Sequence, residues 1–209
     1  MTRFNSIIIA GLLLAFSAVP ALASVMPSGY VNYTPQGTID PTRSDPNNAL
    51  VYDPLTDDQS GAINFTSLGF GGSIVLTFSN AIVDGAGIDL QVFESTWGSN
   101  ADNWSSYRET AEVWAFNGAY SGQAFGDPNW VLLGTAQQDG AFDFNGLIGS
   151  TTALLLRDVS RSFGFTGGGD GYDLDGVVAN YATPLPAAIW IFGGGLLGLA
   201  GLRRVRGNG

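Results

Sequence analysis

The chain has 209 residues, 45% of them hydrophobic and only 12% charged, with thirty glycines and no cysteine, histidine or lysine. This excludes disulfides, thiol and imidazole catalysis, zinc held by Cys or His, Schiff-base chemistry and a lysine-bearing P-loop. It also argues against disorder and for a glycine-punctuated β-rich fold.

Arg3, the apolar run 7–19 and the triplet Ala21-Leu22-Ala23 follow the charged, apolar and small-x-small order of a secretory leader. Thirteen apolar residues are too few for a comfortable membrane span. The pattern predicts a signal peptide over 1–23, handed to the Sec translocon and cut by signal peptidase at the Ala21/Ala23 site. The mature chain then opens near Ser24. From 24 to 60, five prolines and scattered Asn and Asp predict an extended lead-in with little regular structure.

Strands are predicted at 63–68, 73–78, 88–93, 111–116, 130–133, 153–156 and 174–179, where β-branched and aromatic residues cluster between Gly and Asn turns. Alternation is clearest in Ile74, Leu76 and Phe78, in Ile88, Leu90 and Val92, and in Ala111, Val113 and Ala115. No long helical period interrupts them. The expected fold is all-β, a single β-sandwich of jelly-roll character over 61–181.

Eighteen carboxylates fall between Asp40 and Asp175, against Arg43, Arg108, Arg157 and Arg161, so this region carries −14 and disfavours nucleic acid. The densest oxygen cluster is Asp170-Gly171-Tyr172-Asp173-Leu174-Asp175, entered through three glycines. Calcium takes six to eight oxygen ligands on adaptable loops. Asp170, Asp173 and Asp175, joined by Glu94 if the closing strand lies beside 88–93, are the candidate metal ligands. The competing reading is an acidic loop held by its own backbone hydrogen bonds.

The polar loop 95–110 carries Trp97, Trp104, Tyr107 and Arg108 among Asn, Asp and Ser residues. Aromatic faces stack on the C–H faces of sugars, while amide, carboxylate and guanidinium groups take their hydroxyls. These four residues are the candidate glycan-binding set. The alternative is that the tryptophans fold back to cap the sandwich edge. Glu94, Glu109 and Glu112 are the only glutamates, and nothing in the sequence marks one as buried and proton-holding. No catalytic residue is therefore assigned. The expected role is non-catalytic, with a carbohydrate-active enzyme (glycoside hydrolase or lyase) or a purely structural surface protein as alternatives.

At the C-terminus an apolar run over 187–202 is followed at once by Arg203, Arg204 and Arg206. Counted from Pro184, its nineteen residues would cover about 28 Å as a helix, enough for a thin bilayer. The arginines predict a cytoplasmic end for this transmembrane helix.

Two resemblances follow from these residues. Pro184-Leu185-Pro186-Ala187, the glycine-rich apolar run and the trailing Arg203, Arg204 and Arg206 resemble the VPLPA variant of the PEP-CTERM sorting signal. Thr183 stands where valine is usual. The resemblance implies a sorting tail over 182–209 in a Gram-negative bacterium. It also implies an inner-membrane intermediate, processing by an exosortase-type transpeptidase, and delivery to the cell surface or secretion.

The blocks 71–78, 82–94, 110–116 and 171–177 are similar to secreted domains of the galactose-binding-like β-sandwich type. Gly176 replaces the usual alanine, and Phe116-Asn117-Gly118 replaces the usual S-x-DG turn. That resemblance implies carbohydrate binding and a structural calcium. The combined expectation is an exported surface or extracellular-matrix protein in exopolysaccharide or biofilm, binding extracellular polysaccharide.

Overall fold

The computed structural model describes residues 22–182, which form one compact unit. Ala21, most of the leader and the sorting residues Pro184, Leu185, Pro186, Ala187, Arg203, Arg204 and Arg206 lie outside the described residues. Ten strands make two antiparallel sheets. The first sheet holds β1 (Leu22–Val25), β3 (Thr66–Ser67), β5 (Leu90–Glu94), β8 (Gly140–Phe142) and β10 (Asp173–Ala182). Its order is β1-β10-β5-β8, with β3 also paired to β10. The second holds β2 (Gly29–Thr34), β4 (Ser73–Val83), β6 (Thr110–Phe116), β7 (Trp130–Gln137) and β9 (Ser150–Asp158), in the order β2-β4-β9-β6-β7.

Strand alternation decides what each sheet buries. Ile74, Leu76, Phe78 and Ile82 of β4, Val113 of β6 and Leu154 and Leu156 of β9 share one core with Leu90 and Val92 of β5 and Val177 of β10. Burying each such aliphatic side chain is worth roughly 1.5–3 kcal/mol, so these facing rows hold the two sheets together. The opposite face of the second sheet is also apolar. Val75, Ala153, Leu155, Phe116 and Trp130 pack there, with Trp114 and Tyr120 against them.

All seven predicted strands overlap observed ones, but that at 63–68 shrinks to the two residues of β3, while β4, β7, β9 and β10 run further than expected. The segment 24–60 is more ordered than its prolines suggested. β2 lies within it and pairs with β4, while Ser24 and Val25 complete β1 against β10. Leu22 and Ala23, assigned to the leader, belong to the same strand. Ile88 faces solvent before β5 begins and does not share the buried face of Leu90 and Val92.

Two close backbone approaches fix the closing strand. A Cβ on Gly171 (φ +80°) would lie 2.6 Å from the carbonyl carbon of Gly69, so the turn before β10 can press onto the turn after β3. At Gly176 a Cβ would lie 2.8 Å from that of Tyr52, whose ring stacks on Phe93 at 3.7 Å. An alanine there, as the resemblance would have it, collides with Tyr52.

Candidate functional site

Antiparallel pairing brings the end of β5, the starts of β6 and β10, and β3 to one end of the sandwich. The loop 95–109 connects β5 to β6 across this end. Here Arg43, Ser95, Trp97, Asn100, Tyr107 and Glu109, with Phe65, Thr96 and Asp173, line a cavity of about 200 Å³. A second cavity of about 290 Å³ lies on the other side of Tyr107, lined by Ser106, Arg108, Phe165 and Thr166 with Gly164 and Gly167. The predicted sugar loop therefore does form the walls of hollows. Trp97 and Tyr107 line the first, Tyr107 and Arg108 the second.

Trp104 lines neither. Its indole N–H donates to Thr110 Oγ1 at 2.8 Å and its ring packs edge-on against Phe163, so it caps the sandwich. One tryptophan of the pair thus lines a cavity and the other caps the sandwich.

Polar groups in the first cavity are buried and incompletely paired. Ser95 is 4% exposed and its Oγ has no hydrogen-bond partner, and the same holds for the indole nitrogen of Trp97. Glu94 and Glu109 are each 2% exposed. Burial pushes the Glu109 carboxyl well above the carboxylate range, and the neighbouring Glu94 and Asp173 push it the same way. Burial likewise raises Glu94 to about 7, opposed by its hydrogen bonds to Glu109 and Thr96. Thr96 Oγ1 donates to Glu94 Oε2 at 2.5 Å, and Glu94 Oε1 has no donor unless Glu109 carries a proton. Burial and the closeness of the two carboxyls thus raise the proton affinity of both. Tyr107, desolvated and facing Glu109, keeps its phenol proton.

The four expected calcium ligands do not form one shell. Asp170 and Asp173 do meet, but their counter-charge is Arg43, 3.0 Å from Asp170 and 3.7 Å from Asp173. Ser67 Oγ lies within hydrogen-bonding reach of both carboxylates and has a single proton to donate between them. Burial raises Asp173 well above the usual range, and the Arg43 guanidinium pulls against this. Glu94 is engaged with Thr96 and Glu109, whereas Asp175 turns to Asn64, which donates to its Oδ1 at 2.7 Å. A register shift between Leu174 and Gly176 separates the partners of Asp173 from those of Asp175. Plain alternation in the sequence could not foresee that bulge.

A different oxygen set does suit a hard cation. Asp175 is fully buried, its Oδ2 has no donor, and Asp57 lies within hydrogen-bonding reach of it. Asp57 Oδ1 and Asn64 Oδ1 are likewise buried without donors. Burial first, then the charges of Asp57, Asp58 and Asp139, push Asp175 up to about 8.

At the other end of the sandwich, Asp84, Asp89 and Asp143 are the only three carboxylates among the described residues with oxygens within 4.8 Å of one another. There, however, Asp89 accepts from the backbone of Gly85 and Phe144, Asp84 from Gly146, and Asp143 from Asn145. These bonds tie loops together.

Arg43 and Ser95 have no role in the sequence reading, and Glu109 enters it only as one of three glutamates with nothing to mark it as buried. Arg43 offered a signal, since it is the only cation between Arg3 and Arg108 in an acid-rich chain.

No protein-family description matches the chain, and no curated protein matches it in sequence. Among solved structures it resembles the F5/8 type C domain of a Bacteroides fragilis protein. That match has a TM-score of 0.41 and 14% identity, covering 78% of this chain and 98% of that one. It also resembles CpGH89CBM32-4 of Clostridium perfringens, solved with GlcNAc-α-1,4-galactose. Here the TM-score is 0.30 and the identity 11%, over 73% of this chain and 95% of the other. Nothing in the site described above is carried over from either.

Proposed function

We propose that the protein binds saccharide in the first cavity and does so outside the cell, as a surface or matrix component. The observation that carries this reading is the hollow itself, where Trp97 and Tyr107 bring aromatic surface beside Glu109, Asp173 and Asn100, and where Ser95 Oγ and Trp97 Nε1 lie buried without a partner. Aromatic surface takes the apolar face of a sugar, and carboxylate and amide groups take its hydroxyls. The leader and the tail support an export route through the Sec translocon, an inner-membrane stage and an exosortase-type transpeptidase. Calorimetric titration of the full-length protein with galactose- and N-acetylglucosamine-terminated oligosaccharides tests the site. Binding is expected for wild type and a loss of about tenfold or more for Trp97→Ala. Equal binding by the two proteins removes the cavity as the sugar site.

A second reading has its own observation. Glu109 is a buried carboxyl with raised proton affinity in the same cavity as Asp173, and a glycoside hydrolase or lyase needs such a pair for acid–base work. Release of reducing sugar from exopolysaccharide, abolished in Glu109→Gln, would establish it. No release would leave the binding reading alone.

Calcium, which the galactose-binding-like resemblance implies, fits Asp57, Asn64 and Asp175, whose buried oxygens lack donors. Bound there it would neutralise like charges and tie the 53–64 segment to β10. Millimolar calcium should then raise the melting temperature, by the equivalent of about 2.7 kcal/mol at a hundred times its dissociation constant. An unchanged melting temperature would exclude the ion.

A further inference from the structure

We propose that the saccharide carries an anionic group, seated against Arg108 in the second cavity while a neutral sugar unit occupies the first. The inference rests on the saccharide reading and adds the class of sugar. Of the four arginines among the described residues, Arg43 pairs with Asp170 and Asp173, and Arg157 with Glu112 at 2.7 Å. Among those residues Arg108 and Arg161 have no carboxylate within 4.0 Å. In a region with eighteen acids and four arginines, two arginines without a carboxylate are unexpected on charge alone.

Both are held in place by other means. The Arg108 guanidinium lies 5.3 Å from the Trp104 ring centre, and its Nη1 donates to the Phe163 carbonyl at 3.3 Å. Arg161 sits 3.7 Å over Phe70 and donates to the Phe165 carbonyl at 2.9 Å. An aromatic face and one carbonyl orient a guanidinium but use few of its five N–H donors. Arg108 therefore presents an oriented fork to the hollow.

That hollow suits an anion. No carboxylate lines it, and Arg108 shares its walls with Ser106, Tyr107, Phe165 and Thr166. The first cavity has the opposite character, with Glu109 and Asp173 in its wall. Tyr107 lines both, so one chain of two or more sugar units can pass over it, with hydroxyls on the acidic side and negative charge on the arginine side. A uronate carboxylate and a sulfate ester present the same chemistry to Arg108, each with oxygens that accept a paired N–H donation.

The test is calorimetric titration of the full-length protein with three probes. They are a short oligogalacturonide, the same oligomer with its carboxylates methyl-esterified, and a sulfated galactan oligosaccharide. At least one acidic probe should bind about tenfold or more tightly than the ester. The gap should close in Arg108→Gln. Which acidic probe gains identifies carboxylate or sulfate as the recognised group. Equal affinity for ester and both acidic probes, or a gap that survives in Arg108→Gln, overturns the inference. If the ester binds through Trp97 with no acidic gain, only the anionic assignment falls. If no probe binds, the saccharide reading falls with it.

Discussion

The two ends of the sandwich use carboxylates in opposite ways. At the end made by the close of β4 and the start of β5, Asp84, Asp89 and Asp143 crowd together, and each accepts a backbone N–H, Asp84 and Asp89 from across the loops and Asp143 from Asn145 in its own turn. At the other end Glu94, Glu109 and Asp173 are buried with raised proton affinities, beside donors that find no partner. Crowded acids alone do not distinguish structure from function. What separates the two ends is whether the surrounding polar atoms are satisfied by the fold itself.

The largest expected effect breaks the structural end. Asp89→Ala orphans the amides of Gly85 and Phe144 and should cost about 3 kcal/mol or more in denaturant unfolding, with sugar affinity per folded molecule unchanged. A loss below about 1 kcal/mol would mean those bonds are not what holds this end.

The next effect is pH dependence, measured with chelator present. Glu94 at about 7 and Asp58 and Asp139 at about 6 all sit above the ordinary carboxyl value, burial being the main cause in each case. The folded protein therefore binds more protons than the unfolded chain between roughly pH 4 and pH 7. Stability from these groups is fully present below about pH 4 and is lost as pH rises through the folded values. The melting temperature should be several degrees higher at pH 5 than at pH 8, and a flat profile would contradict the buried-acid description.

Glu109→Gln sharpens the comparison. The amide can still donate to Glu94 but carries no titratable charge, so the melting temperature should change little at pH 5, rise at pH 8 and flatten the profile. A large loss at both pH values would make Glu109 a structural residue like Asp89. Ser95→Ala is the mildest test. Removing a buried hydroxyl with no partner relieves its desolvation and should raise stability by about 1 kcal/mol while weakening sugar binding several-fold.

Much of the fold was legible in the sequence because the core rows alternate cleanly. Ile74-Leu76-Phe78 and Ala111-Val113-Ala115 point inward as expected. β8 was missed because it is three residues long and begins with glycine. β2 was missed because it is a partly exposed edge strand containing Asn32 at φ +52°. Within the site, Trp97, Tyr107 and Arg108 stood out as aromatic and cationic residues in a polar loop. Arg43 and Ser95 did not, since their significance comes from contacts made across the fold. The Arg43–Asp170 bond, for example, spans 127 residues. The calcium reading failed at its first location because closeness in sequence said nothing about the bulge that parts Asp173 from Asp175, or about the arginine that already neutralises Asp170.

The most direct measurement follows the indole N–H signals in ¹H–¹⁵N spectra of the full-length protein during saccharide titration. Trp104, Trp114 and Trp130 donate to Thr110, Glu112 and Ala124, whereas the Trp97 N–H has no partner. The Trp97 signal should move downfield and saturate with bound sugar, while Trp114 and Trp130, on the outer face of the second sheet, stay in place. Saturating sugar that leaves the Trp97 signal where it began would contradict the assignment of this cavity as the binding site.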